Sequence, residues 1–253
     1  MGATHSIVRR TIRYSTDQDL DEILKWLREQ DNNGVDGTFY CNRNLTIESH
    51  NEAKLLVYID PDTDKAVAYQ WGGLINPGIL EVRAEKRGQG VGKQLVEYRI
   101  SEAREKDKCL LRIQCKPETS IPFWKHMGFH LYGEKDAHYA FRLLEKQLKL
   151  PEGGVSCQLQ ICFYPEERRW NDDIVSIKVF TPSAVRASDG FIYLSERVSF
   201  FDSRDGFDLD TILSIQVDGE QIYMDKPKYE KAKVLGVKND AGAFYIEKLR
   251  QKK

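Results

Sequence analysis

Apolar and polar positions along the chain change period several times, and each change marks an element. "IVRRTIRY" (7 to 14) has the alternating, β-branched character of a strand. Thr16 then stands where a helix cap belongs, and Leu20, Ile23, Leu24 and Leu27 recur at i, i+3, i+4 and i+7. "AKLLVYID" and "KAVAYQWGGLI" read as two strands joined across Pro61-Asp62, and Asn76-Pro77-Gly78 turns the second into "ILEVR" (79 to 83). Helical spacing returns with Leu95, Val96, Ile100 and Ala103 and runs through about residue 106. "CLLRIQC" (109 to 115) is a buried-strand pattern. In "KPETSIPFWKHMGF", Thr119 or Ser120 can cap a short helix that ends at Gly128.

The character changes at "LKLPEGG" (148 to 154), where an amphipathic segment gives way to a Pro-Gly linker. Beyond it, "QLQICFY" and "IVSIKVF" alternate, Asp189-Gly190 introduces "FIYLSERVSFF", and "SIQVDGEQIYM" is a hairpin turning at Asp218-Gly219. "KVLGVKNDAGAFYIEK" reads as another hairpin. The fold class is therefore α+β. Residues 1–150 are expected to form a mixed β-sheet flanked by helices, and 151–253 a small all-β domain, a sandwich or partly closed barrel. The second domain is expected to pack, dimerise or grip an acceptor molecule.

With 253 residues, the chain can bury one large core or two modest ones. A formal net charge of −1 argues against nucleic-acid binding, so no DNA partner is expected. No run of about 18 apolar residues and no secretory leader is present, so the expectation is a cytoplasmic protein with no membrane partner. The five cysteines include no Cys-x-x-Cys, and Cys109 and Cys115 lie too far apart along one strand to bridge, so they read as reduced thiols. None of the five histidines is spaced for a metal, and no metal is expected. "MGATHS" fits a myristoylation pattern, but the neighbouring arginines fall within the expected first strand, which favours an unmodified start.

"RAEKRGQGVGKQL" (83 to 95) carries the candidate chemistry, with three glycines in five positions. A P-loop would need a glycine where Arg87 stands and Ser or Thr where Gln94 stands. The dinucleotide fingerprint lacks its third glycine, since Leu95 stands three places beyond Gly92. What is left is a strand, a glycine turn and a helix. Such a turn offers unobstructed N–H groups at the positive end of a helix, with Arg87 and Lys93 as cationic donors, and suits a polyanion such as pyrophosphate.

Arg87, Gly90 and Gly92, with Gly88 between them, resemble the cofactor signature of the GNAT superfamily of acyl-CoA N-acyltransferases. Phe123, Trp124, Gly128 and Phe129 are similar to its second signature, an aromatic-bearing helix closing on Gly-Phe; the resemblance covers roughly residues 7 to 145. It implies acetyl-CoA, or another short acyl-CoA, as co-substrate and an amine on a small molecule or protein as acceptor. It also implies that Leu80, Val82, Arg83, Arg87, Gly88, Gln89, Gly90, Val91, Gly92, Lys93, Ser120 and Phe123 hold the acyl-CoA, with the Leu80 amide polarising the thioester carbonyl.

Acyl transfer to an amine needs a base, and the leaving thiolate can take a proton. Trp124 stands where many relatives carry a tyrosine acid, and indole cannot protonate a thiolate, so Tyr132 and Ser120 become substitutes. Glu81 is the one acid of the fourth strand, but alternation turns it away from Leu80 and Val82 unless a bulge re-aims it; Glu118 through water is the other candidate base. For both glutamates the plain alternative is a solvated surface carboxylate. Asp31, Asp36, Tyr40 and Asp136 are candidate holders of a cationic acceptor. Two other readings stay open: a non-catalytic acyl-CoA-binding scaffold, and an acetyltransferase targeted to a protein or RNA by its β domain. A homodimer is compatible with each.

Overall fold

The computed structural model describes residues 11–133, 138–204 and 211–251. "MGATHS", the start of the expected first strand (7 to 10) and Asp136 lie outside them. By internal contacts the chain divides into two compact units. One comprises Met1–Asp107 and Leu111–Arg142, the other Lys108–Leu110 and Leu143–Lys253.

The first unit opens with β1 (Ile12–Tyr14) and helix α1 (Asp17–Asn32). Thr16 and Asp19 close a capping box, each side chain accepting from the other's backbone N–H. The buried face of α1 is Ile23, Trp26 and Leu27; Trp26, absent from the expected stripe, donates its indole N–H to the Ala66 carbonyl at 3.1 Å. After α2 (Arg43–Asn51) come β2 (Leu56–Asp60), β3 (Lys65–Trp71) and β4 (Ile79–Val82), which complete an antiparallel sheet in the order β1-β2-β3-β4. Its β3–β4 connection doubles back tightly. Gly72 has φ +82°, and a Cβ there would stand 2.4 Å from the Pro77 carbonyl oxygen. Helix α3 (Val91–Glu105) covers this sheet with Val91 and Leu95, beside Leu56 and Ala68.

A second sheet has the order β5-β7-β6, from β5 (Leu110–Gln114), β6 (His130–Tyr132) and β7 (Tyr139–Leu143), with α4 (Ile121–His126) between β5 and β6. β5 does not pair with β4. It instead meets the β3–β4 connection, where Arg112 and Asn76 exchange backbone bonds with Leu74 and Arg112. One edge of β4 is thereby left open. Ser120 occupies the N-cap position of α4, but neither it nor Thr119 caps the helix.

The second unit is a β-sandwich of two open antiparallel sheets. One has the order β10-β9-β13-β14, from β9 (Leu159–Pro165), β10 (Lys178–Phe180), β13 (Thr211–Val217) and β14 (Glu220–Asp225). The other has the order β15-β16-β12-β11-β8, from β8 (Val155–Cys157), β11 (Ala184–Arg186), β12 (Phe191–Phe200), β15 (Lys238–Asp240) and β16 (Ala243–Arg250). Leu159, Ile161, Phe163, Leu213 and Ile215 of the first sheet form one core with Leu194, Val198, Phe244 and Ile246 of the second. Neither sheet closes into a barrel. Two expected strands are shorter than their alternation implies. Of "IVSIKVF" the strand takes in Lys178–Phe180, with Ile177 N–H also bonded to the Phe163 carbonyl, and Val175 is 81% exposed, because strand pairing requires a neighbour that alternation alone does not provide. The "KVLG" run belongs to helix α5 (Glu230–Leu235), which ends at Gly236 with φ +113°. The β12 strand also pairs with the segment before the expected linker, through Leu148 N–H to the Ser195 carbonyl and Arg197 N–H to that of Lys146.

Candidate active site

The open edge of β4 borders a cavity of about 860 Å3 that reaches across to the end of β5 and to α4. The phase of β4 follows from one bond. Arg83 N–H donates to the Val67 carbonyl at 2.9 Å, so the odd-numbered amides face β3 and those of Leu80 and Val82 face the open edge. Consistently, the Val82 carbonyl on that edge accepts from Arg87 Nε at 3.0 Å.

At the C-terminal end of β4 stands the glycine turn. Gly88 (φ +74°) and Gly90 (φ +82°) are left-handed, with nothing within 4 Å of a built Cβ at either. Gly90 is the N-cap of α3 and its carbonyl accepts the first helical bond, from Gln94 N–H. The N–H groups of Val91, Gly92 and Lys93 therefore lie in the unpaired first turn, at the positive end of a four-turn helix. Gly92 keeps the wall low, since a Cβ there would rest 3.5 Å from Phe123 and Val82. Unpaired amides at the start of a helix suit an anion such as a phosphate group.

Beside Leu80 lies Glu81, 3% exposed and on the cavity wall. No bulge re-aims it. The β3–β4 register runs unbroken from Ala68↔Val82 to Trp71↔Ile79, and Glu81 stands opposite Tyr69, on the face that packs against α1. It reaches the same cavity as Leu80 because an edge strand presents both faces beside its open side. A solvated surface carboxylate is excluded by the burial. Tyr69 Oη donates to Glu81 Oε2 at 2.9 Å, Phe39 N–H to the same oxygen at 3.1 Å, and Gln30 Nε2 to Oε1 at 3.3 Å. Burial raises the Glu81 pKa from 4.5 to about 7, against the opposing pull of the Tyr69 and Phe39 donors. Burial and the neighbouring Glu81 charge drive Tyr69 well above an ordinary phenol, so its hydroxyl stays a donor.

Of the other residues expected in the site, Arg87, Gly88, Gly90, Val91, Gly92, Lys93, Ser120, Phe123 and Trp124 line the cavity with Leu80 and Val82. Four do not. Arg83 turns its side chain to Glu85 at 2.5 Å, and Gln89 turns back to the Glu85 carbonyl at 2.8 Å. Glu118 points outward, its side chain 72% exposed and paired with His138 at 2.5 Å. Tyr132 is buried among the rings of Tyr139 and Phe141, at 5.9 and 5.7 Å, with its hydroxyl pushed up by burial. Trp124 is wedged edge-on against Phe123 and Phe129. Asp31, Asp36 and Tyr40 are absent from the wall; Tyr40 accepts from Arg28 and Asp36 gives its carbonyl to Arg87. Among the described residues no cluster of three or more His, Cys, Asp or Glu could hold a metal.

Residues 20–129 match the model of the Acetyltransferase (GNAT) family. These residues form an acetyltransferase domain of the GNAT family. Three solved structures resemble the GNAT domain over 53% of this chain, each with a TM-score of 0.40. They are an N-acetyltransferase from Staphylococcus aureus Mu50 (22% identity, 96% of that chain), Ard1 from Thermoplasma volcanium (19%, 97%) and a ribosomal-protein-alanine N-acetyltransferase from Brucella melitensis (23%, 99%). No curated protein matches the chain in sequence. The GNAT domain makes the protein an acyltransferase, and its family uses acyl-CoA as co-substrate.

Several residues of the GNAT domain's cavity carry no signal in the linear order. Tyr69, Gln30 and Phe39 meet at Glu81 from β3, α1 and the α1–α2 loop, 12, 51 and 42 residues away in sequence. Only the β3–β4 register, counted through a seven-residue connection, could have paired Tyr69 with Glu81. Trp71, Lys116 and His126 also line the wall and had no motif to mark them.

Proposed function

We propose that the protein transfers an acetyl or other short acyl group from acyl-CoA to an amine by direct attack on the thioester, with Glu81 as base and the Leu80 amide as oxyanion donor. The observation that carries this reading is a buried carboxylate, its pKa near 7, one residue along the open strand edge from the outward Leu80 N–H. A base poised near neutrality is ionised in useful amount while still able to hold a proton.

The acceptor arrives as an ammonium and gives one proton to Glu81. The freed amine attacks the carbonyl carbon, the C–N bond forms, and negative charge gathers on the carbonyl oxygen before the Leu80 N–H. The C–S bond then breaks, the sulfur leaving with the electron pair. The remaining surplus proton on nitrogen passes to the thiolate or to solvent. Trp124 supplies no proton at this step, which a thiolate with an ordinary pKa of about 8.5 tolerates. The glycine turn and the first turn of α3, with Ser120 and Phe123 on the facing wall, are assigned to the cofactor's phosphates and arm. We assign residues 143–253 no chemical step.

The test is isothermal titration with acetyl-CoA, CoA and dephospho-CoA, followed by transfer of labelled acetyl to a panel of amines. Micromolar binding with an amine-dependent labelled product is expected. Binding without transferable label, or only acceptor-independent thioester hydrolysis, would overturn the reading in favour of a non-catalytic scaffold.

A further inference from the structure

The residues around Glu81 define the kind of amine that can be accepted, an inference that rests on the function proposed above. The glycine turn, assigned above to the cofactor's phosphates, takes the end of the cavity at the C-terminus of β4. The end that remains, around the start of β4 and the α1–α2 loop, is walled by Phe39, Leu45, Trp71, Leu74 and Ile79, with the neutral amides of Asn42 and Asn76 among them. This wall carries no charge, and Leu45 on it is 44% exposed.

Charge is distributed unevenly over the same cavity. Among the described lining residues Glu81 is the one carboxylate, and it is committed to the reacting nitrogen. The opposite wall carries Lys116, just past β5, with no ion-pair partner among the described residues. It stands next to Pro117, which closes on the α1–α2 loop: a Cβ on Gly37 would lie 3.1 Å from the proline ring. An ammonium group brought out of water needs a carboxylate of its own, and among the described residues a second one would meet an uncharged wall and Lys116. We infer that the acceptor is a primary monoamine on an apolar body, and that polyamines, aminoglycosides and lysine-rich segments are disfavoured because the described lining residues offer no second carboxylate and present Lys116.

A matched pair isolates the second charge: hexylamine against 1,6-diaminohexane, with phenethylamine and spermidine as flanking cases, assayed by labelled acetyl transfer at pH 8. Hexylamine is expected to exceed the diamine in kcat/KM by about tenfold or more, despite the diamine's two reactive ends. Lys116→Glu, and independently Leu45→Asp at the exposed mouth, should each narrow that ratio several-fold by offering the second ammonium a partner. Equal or reversed preference in the unaltered protein would overturn the inference while leaving acyl transfer to amines standing. Acetyl-CoA binding with no amine labelled would overturn both together.

Discussion

Replacing Glu81 by glutamine keeps the side chain's size and removes its charge, and the structure sets the consequences for activity and stability in opposite directions. The Glu81 pKa lies at about 7 in the folded protein, against an ordinary value of 4.5, because the carboxylate is buried among neutral donors. Since the folded value is the higher one, the carboxyl favours folding fully below about pH 4.5, and that contribution is lost as pH rises through 7. At 1.36 kcal/mol per decade the ionised form costs about 3 kcal/mol at pH 8. Glutamine avoids this cost. Its oxygen can replace Oε2 before Tyr69 and Phe39, but its NH2 group then meets Gln30 Nε2, whose own oxygen is held by Ala84 N–H at 2.6 Å. One lost hydrogen bond costs about 1 kcal/mol. Glu81→Gln should therefore be more stable than the parent by about 2 kcal/mol at pH 8 and about equal to it at pH 5, where the parent's own cost has shrunk to roughly 1 kcal/mol. Activity should fall roughly 100-fold or more, the usual share of a general base. In the parent, kcat should rise with pH along an acid limb near 7, with about half of Glu81 ionised there and roughly a tenth at pH 6. Urea unfolding at both pH values and a kcat profile with a saturating monoamine check the two halves. Parent-like turnover with an unchanged profile would remove Glu81 from the mechanism, and a stability difference independent of pH would mean that it does not titrate as argued.

Tyr69→Phe removes a donor that favours the charged carboxylate, so the Glu81 pKa should climb and the acid limb of kcat move up by about one pH unit; an unmoved limb would refute the Tyr69 contact as a tuning element. Gly92→Glu places a carboxylate in the first turn of α3 without forcing a left-handed backbone, and its Cβ meets only ordinary contacts. Acetyl-CoA affinity by titration should drop roughly tenfold or more with circular dichroism unchanged, and affinity within twofold would displace the cofactor from this turn. Trp124→Tyr offers the leaving thiolate an acid and should raise kcat with a new alkaline limb, whereas an unaltered rate would mean that thiolate protonation does not limit turnover. In the sandwich, Arg197 is 1% exposed at its side chain and bonds to Glu247, which Lys146 also holds. Arg197→Ala should cost about 3 kcal/mol in urea unfolding, and a loss below half of that would show the pair to be dispensable.

Local order in the chain carried a good share of this protein. The Thr16 cap, the glycine turn before α3, the β13–β14 turn at Asp218-Gly219 and the change to β structure after residue 150 depend on neighbours a few positions apart, and such interactions are written in spacing. The glycine turn with its open amides was legible for that reason: amides at a helix start need glycines and a helix, and both are contiguous. The burial of Glu81 was not. Whether a lone strand glutamate is solvated or buried depends on Tyr69, Gln30 and Phe39 arriving from three other elements, and on β5 pairing with the β3–β4 connection so that β4 keeps an open edge. Tyr132 and Glu118 were near the site only in sequence, and side-chain direction turned both elsewhere. Desolvation, which moves a carboxyl from 4.5 to about 7, is a property of everything packed around a group, and so only the tertiary structure could decide it.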